Sequence, residues 1–346
     1  MTGARLIVDL GRILANIDTL RERLTPAEVM LVVKNDAYGH GVDAVVTAAA
    51  RHGVRWFGAF DVPTGLRTRA AAGPEARVFS WATAAPTELE SAIHARLDLG
   101  VGDPRYLEDV ADASAGRGVR VHLKIDTGLH RNGVRPEDWR EFTARAAELE
   151  RAGHIRVVGV WSHLAETSEA TDDDARDEYL RAVEDAEAVG LTPEVRHLAA
   201  SAAAYARSSY HFDLARFGAF GYGIRSAGGE DLPGIVAAAA LVAPVTAVRQ
   251  GAVEVGIGAL DGLPSTLAGR VEVGTPAGAR LLRAVDDTTL TVDAWSGAAI
   301  GDEVVVFGPG SHGEPSATTL AEAIDTVGEE ILVRVSPLIP RTYLTP

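Results

Sequence analysis

Cysteine is absent from the 346 residues, which excludes disulfides and thiolate metal sites, and no metal site is assigned. Positive charge is scarce. The formal net charge is −15, so no basic face is available to attract nucleic acid or anionic lipid. An acidic chain also gives no general help in binding a phosphate or carboxylate. Any such site must be built locally, from arginines and backbone N–H groups. Long apolar runs are missing as well. The longest, Ile235 to Val245, is too short to span a bilayer and contains Pro244. The opening Met1-Thr2-Gly3-Ala4-Arg5-Leu6 lacks the apolar core of a signal peptide, so a cytoplasmic protein is expected. No Gly-x-Gly-x-x-Gly turn follows an early strand, and no repeat or low-complexity tract stands out.

What remains has the composition of an ordinary globular protein, 47% hydrophobic and 23% charged. The length suits one large α/β barrel with a smaller domain, or two to three ordinary domains. After a short strand at Leu6-Ile7-Val8, residues Ile13, Ile17, Leu20 and Leu24 recur at the spacing of an amphipathic helix. Strand-like segments follow at Val29–Lys34, Trp56–Phe60, Arg77–Trp81, Leu97–Val101, Val119–Asp126, Ile155–His163, Glu194–Ser201 and Phe212–Tyr222. Helical stretches such as Gly41–Arg51, Trp139–Ala152 and Asp174–Ala188 separate them, and Asp172-Asp173-Asp174 is read as opening the last of these. Eight β-α units predict a (β/α)8 TIM barrel over residues 1–235, with a doubly wound open sheet as runner-up. Beyond the turn-rich Gly228–Pro233 the pattern changes to short alternating runs at Pro244–Val248, Val253–Gly258, Leu281–Val285, Leu290–Ala294, Glu303–Phe307 and Ile331–Val335. One helix, near Thr319–Ile324, interrupts them. The expectation is a smaller, mainly β domain over 236–346.

Functional side chains of a barrel sit at the C-terminal ends of its strands. Lys34 ends the first strand, in Leu31-Val32-Val33-Lys34-Asn35-Asp36-Ala37-Tyr38-Gly39-His40-Gly41. Partial desolvation there lowers an ammonium pKa and frees the amine for a Schiff base. Lys124 and Arg131 flank the end of the fifth strand, His163 ends the sixth, Ser201 the seventh, and Arg216 belongs to the eighth. Each has a blander reading alone. A strand-end lysine is usually at the surface, a single histidine is more often a satisfied core residue, and Ser201 is a plausible helix cap. Lys124 and Arg216 inside apolar strands are harder to dismiss, since a buried cation needs a partner or a lost proton.

The Lys34 segment closely resembles the pyridoxal-phosphate attachment signature of the alanine racemase family. Lys124-Ile125-Asp126-Thr127-Gly128-Leu129-His130-Arg131 looks like that family's Lys-x-Asp-Thr-Gly-x-x-Arg segment. Trp161-Ser162-His163, His197–Ser201 and Arg216-Phe217-Gly218 fit its other barrel segments in order. The resemblance implies that Lys34 carries pyridoxal 5'-phosphate as a Schiff base. It implies that Tyr38, Ser201, Gly218 and Ala219 bind the phosphate, that His163 lies against the pyridine ring, and that Arg216 faces its nitrogen. Arg131 would orient the phenolic oxygen and the substrate carboxylate, held by a carbamylated Lys124. A guanidinium facing the nitrogen keeps it unprotonated, which favours Cα proton exchange over most decarboxylations. The implied activity is amino-acid racemisation, L-alanine to D-alanine, in a head-to-tail homodimer.

One part of the pattern is missing. The family's second base is a tyrosine in Gly-Tyr-x-Asp-Gly, and the matching stretch is Gly258-Ala259-Leu260-Asp261-Gly262. Val285-Asp286-Asp287-Thr288 replaces its Cys-Met-Asp segment, and Thr326–Glu330 lacks an expected tyrosine, although Gly301–Gly308 and Ile339-Pro340-Arg341 keep the framework. Three readings follow. The second base of a racemase is Tyr343, His312 or water; the protein runs one-base or other chemistry on a different or larger amino acid; or it binds cofactor without turnover.

Overall fold

In the computed structural model, which describes residues 3–345, the strands form two eight-stranded sheets. β1 (Arg5–Asp9) is followed by a helix over Leu10–Leu24 and then by the strands of the barrel. These are β2 (Glu28–Val32), β3 (Trp56–Ala59), β4 (Arg77–Ser80), β5 (Asp98–Val101), β6 (Val119–Lys124), β7 (Ile155–Trp161), β8 (Val195–His197) and β9 (Leu214–Phe217). Their pairings are parallel and run in sequence order from β2 to β8, with β9 beside β2. The Asp213 N–H donates to Arg196 O at 3.2 Å and the Arg216 N–H to Ala199 O at 3.3 Å, which closes β8 onto β9. All eight barrel strands lie where the sequence places them. β3, β5 and β9 are buried at every position, as strands covered on both faces must be.

The remaining strands, β10 (Ala239–Arg249), β11 (Ala252–Val255), β12 (Glu272–Thr275), β13 (Gly278–Val285), β14 (Leu290–Asp293), β15 (Glu303–Phe307) and β16 (Arg341–Leu344), form the second sheet with β1. β10 pairs with both β15 and β11, so six strands close on themselves, and β1 and β16 extend the edge. β1 is thus not part of the barrel region. It runs antiparallel to β10, with Leu6 opposite Leu241. Its burial alternates, with Leu6 and Val8 in and Arg5, Ile7 and Asp9 partly out, as suits a sheet covered on one face.

The compact units are not linear in sequence. One comprises Leu20–Lys34 and Val46–Gly218; the other takes the N-terminal residues through Thr19, Asn35–Val45 and everything from Ala219. The expected 1–235 and 236–346 division therefore cuts across the second unit, which collects β1 and the segment just after Lys34.

Two local expectations are corrected. Ile331–Val335 is not a strand but lies in and just beyond the helix Gly328–Arg334. Ile331, Leu332 and Val335 are buried while Val333 is exposed, a helical rather than a two-residue period. The run Asp172–Asp174 does not start its helix, although Asp172 lies in the first turn, where a carboxylate complements the dipole. That helix spans Glu169–Ala188, capped by Ser168, whose Oγ accepts from the Thr171 N–H at 3.1 Å. Asp173 instead accepts from Arg207 and from the Tyr210 hydroxyl.

Candidate active site

The end of β2 sets the geometry. The Val33 N–H donates to Gly58 O at 2.9 Å, and Lys34 follows at once. The chain then makes a turn of left-handed helix: Asn35, Asp36, Ala37 and Tyr38 have φ of 53°, 54°, 54° and 54°. Each such residue costs about 1–2 kcal/mol for an L side chain. Consecutive left-handed residues persist only where neighbouring structure fixes them, and such strain gathers at functional sites. Here the Gly39 N–H donates to Asn35 O and the Gly41 N–H to Asp36 O, both at 2.9 Å. Asp36 Oδ1 also accepts from the Val42 N–H at 3.0 Å, at the first residue of the helix Val42–Arg51. Tyr38 is buried, 5.1 Å from Tyr222 by ring centroids, and burial raises its pKa above the usual phenol range. The Tyr343 hydroxyl lies so close to Gly41 that a Cβ there would meet it at 2.0 Å.

Within the barrel unit, Lys34, Lys124, Arg131 and Arg216 all act on His163, each lowering its pKa. Lys124 ends β6, 5% exposed, with Nζ 4.4 Å from the centroid of the Trp161 ring. Burial, then the charges of Arg216 and Arg131, lower its pKa to about 8. Asp126 opposes that shift. Its own carboxylate is held below the usual range against burial by the backbone and ring N–H of His130, and it also faces Arg135 at 3.2 Å.

Arg216 makes five hydrogen bonds, all to uncharged acceptors. One terminal nitrogen donates to His197 Nδ1 at 3.0 Å and His197 O at 3.2 Å. The other lies within hydrogen-bonding distance of Ser162 O at 2.8 Å, Leu198 O at 2.7 Å and His163 Nδ1 at 3.0 Å, which share its two N–H. Burial lowers its pKa to about 10, still well into the charged range at neutral pH. Burial and the surrounding cations push the His163 pKa far down, so its ring is neutral, with Nδ1 the acceptor and the proton on Nε2. Ser201 begins the helix Ser201–Ala206, and its Oγ accepts from the Gly218 N–H at 3.3 Å. Tyr38 and Ala219 belong to the other unit.

Glu166, His197, His122 and Asp98 were not singled out by the sequence reading. Glu166 is left-handed and its pKa is raised by burial. His122 sits two residues before Lys124, and both are buried in β6. Two polar residues at alternate, inward positions of an apolar strand are the signal that could have found it.

The fold and this rim define a (β/α)8 barrel with a cationic, amine-bearing mouth. Residues 8–226 match the profile of the alanine racemase N-terminal domain and residues 245–343 that of the C-terminal domain, so the chain belongs to the alanine racemase family. Alanine racemase of Beutenbergia cavernae is 38% identical over 99% of this chain and 98% of its own length. That of Thermobifida fusca is 37% identical over 97% and 96%. The solved alanine racemase of Streptomyces coelicolor A3(2) superposes with a TM-score of 0.95 at 32% identity, covering 99% of this chain and 98% of that one.

Ala259 lies in a braced turn. Its N–H donates to Asp286 O at 2.8 Å, that of Leu260 to Asp287 O at 2.9 Å, and that of Gly258 to the Asp261 carboxylate at 2.9 Å. The Ala259 side chain is a methyl group, which carries no exchangeable proton. Among the described residues, no group of three or more His, Asp or Glu is arranged to hold a metal ion, and no helix is long and apolar enough to cross a membrane.

Proposed function

We propose that this protein is a pyridoxal 5'-phosphate-dependent amino-acid racemase, acting on alanine or a similarly small amino acid, with Lys34 as cofactor anchor and as base on one face of Cα. When bound, the cofactor supplies a carbonyl that condenses with amines and an aromatic system that withdraws electrons from Cα. The residues fit that group. The rim gathers cations suited to a phosphate, a phenolate and a substrate carboxylate, in a chain of net charge −15. Tyr38, Ser201 and the backbone at Gly218 and Ala219 are the proposed phosphate ligands. Arg131 would orient the carboxylate, and His163 would lie neutral against the ring.

The observation that carries the reading is Arg216. Its guanidinium is fixed by five hydrogen bonds, with no carboxylate among their acceptors. Placed at the pyridine nitrogen it would leave that nitrogen unprotonated, which limits carbanion stabilisation and suits simple proton exchange. Lys124, with a pKa of about 8, holds enough neutral amine at neutral pH to take up carbon dioxide. A Lys124 carbamate would turn a buried cation that lies among other cations into an anion that clamps Arg131.

Inversion is simplest with an acid on the face opposite Lys34. Ala259 cannot serve. Tyr343 is preferred over His312 because its hydroxyl packs on Gly41, in the segment that continues from Lys34. A second reading, one-base exchange or a larger substrate, is favoured by the space that a methyl group leaves where the family pattern has a phenol. The head-to-tail homodimer that the family resemblance implies is proposed too, supported by the exposed apolar side chains of Leu260 and Leu338, 72% and 90% exposed.

The test is incubation with pyridoxal phosphate and L-alanine in deuterated water. Deuterium at Cα with D-alanine appearing is expected. Deuterium with retained configuration selects one-base exchange, and a cofactor absorption band without exchange leaves binding alone. Lys34 and Lys124 are the only two lysines in the chain. Borohydride reduction and peptide mapping therefore assign the anchor directly, and Lys34→Ala should abolish the band.

A further inference from the structure

A line of buried hydrogen bonds runs from Arg216 on β9 through β8 and β6 to Asp98 on β5. Arg216 donates to His197 Nδ1 at 3.0 Å, His197 Nε2 lies 2.9 Å from His122 Nδ1, and His122 Nε2 lies 3.4 Å from Asp98 Oδ2. His122, His197 and Asp98 are all fully buried. The Asp98 carboxylate is held in turn by Arg77, at 2.7 and 2.9 Å to Oδ2, and by Arg120, at 2.6 Å to Oδ1. His197 is clamped between aromatic rings, stacked on Trp161 at 5.7 Å and edge-on to Phe79 at 5.3 Å.

The chemistry of the two ends fixes the direction of every bond between them. A guanidinium can only donate, so Nδ1 of His197 must accept and its proton sits on Nε2. That N–H must donate to Nδ1 of His122, which places the His122 proton on Nε2, facing Asp98. An ionised carboxylate can only accept, which closes the line consistently. Adding a proton to either ring would set two N–H groups against each other, so both rings are locked neutral. Burial lowers the pKa of both in the same sense, against the pull of Asp98 on His122.

Resting on the cofactor reading above, we infer that Asp98, His122 and His197 are positioning residues that carry the field of a buried carboxylate through two oriented imidazoles to Arg216. Without them Arg216 would be a buried cation satisfied only by His163 and backbone carbonyls. With them its Nη1 faces an acceptor strengthened by polarisation from Asp98. The relay holds the guanidinium plane and fixes the tautomer of the acceptor it meets, and both properties bear on the pyridine nitrogen that Arg216 is proposed to face.

Histidine-selective ¹⁵N labelling of the full chain reads the relay itself, with or without cofactor. Both rings are expected as the Nε2–H tautomer, unchanged between about pH 5.5 and 9, the range around the ordinary imidazole pKa. An Nδ1–H tautomer or a titrating ring at either position overturns the inference. His122→Leu breaks the line, and His122→Gln keeps an acceptor and a donor. The leucine variant should move the absorption band of the bound cofactor and lower kcat on the order of tenfold with little change in KM, and glutamine should restore both. If His122→Leu fails to fold, Asp98→Asn, which still accepts from His122 but carries no charge, should shift the same band. A band that moves in none of these variants overturns the inference. Expected tautomers in a protein that binds no cofactor would leave the relay standing and remove the proposed function instead.

Discussion

Arg216 donates from one terminal nitrogen to Nδ1 of His163 across 3.0 Å, and neither partner has an alternative role in that bond. The guanidinium cannot give up its proton, and burial with four neighbouring cations prevents the imidazole from gaining one. A charged and a neutral group are thus fixed side by side at the ends of β9 and β7.

Arg216→Lys keeps the charge and loses the fork. An ammonium has three N–H on one atom, against four terminal N–H that serve five acceptors in the structure. At least one buried acceptor would lose its donor, at about 1–3 kcal/mol. The urea midpoint should fall accordingly at unchanged slope, and cofactor binding should weaken.

Four buried or largely buried histidines, His40, His122, His163 and His197, have lowered pKa values, that of His40 to about 4, with burial the first cause in each. In the unfolded chain each protonates near about 6.5. Below that pH the unfolded state binds more protons, so stability is fully present above about 6.5 and is lost as pH falls. Each histidine adds about 1.4 kcal/mol per pH unit to the slope until its folded pKa is reached. Urea titrations between pH 7 and 5 should show the midpoint dropping steeply. His40→Asn should flatten that drop by about one histidine's share.

Carbamylation of Lys124 is testable because the chain holds one other lysine. ¹³C-labelled carbon dioxide should give one carbamate carbon signal that vanishes in Lys124→Gln and survives in Lys34→Ala. Absence of the signal at saturating bicarbonate would leave Arg131 without its proposed clamp.

Ala259→Tyr should raise Cα exchange of alanine by about a hundredfold, the lower end of the range for a positioned acid or base. Tyr343→Phe should lower the exchange of the parent protein. If Ala259→Tyr gives no gain while Tyr343→Phe abolishes exchange, the second base has moved. If neither changes the rate, one-base exchange is selected.

How much was legible in the sequence differs by element. Most barrel strands were readable because both faces are covered, which leaves nearly unbroken apolar runs such as Val29–Val33, Trp56–Phe60 and Val157–Trp161. Lys34, Lys124 and Arg216 stood out for the same reason, as cations where only apolar residues belong. Arg131, His163 and Ser201 were marked only by their place at strand ends, and the family resemblance gave roles to them and to Tyr38. Ile331–Val335 was misread because five residues cannot separate a two-residue period from a helical one.

The sequence alone determined the barrel, the amine at the end of its first strand and the absence of a tyrosine at position 259. These depend on local pattern and residue type. Tertiary structure decided that β1 joins the second sheet, that the residues after Lys34 wind left-handed, and that Asp98, His122 and His197 line up behind Arg216. Each of those depends on residues distant in sequence. The last spans β5, β6, β8 and β9, and no spacing along the chain encodes which strand will neighbour which.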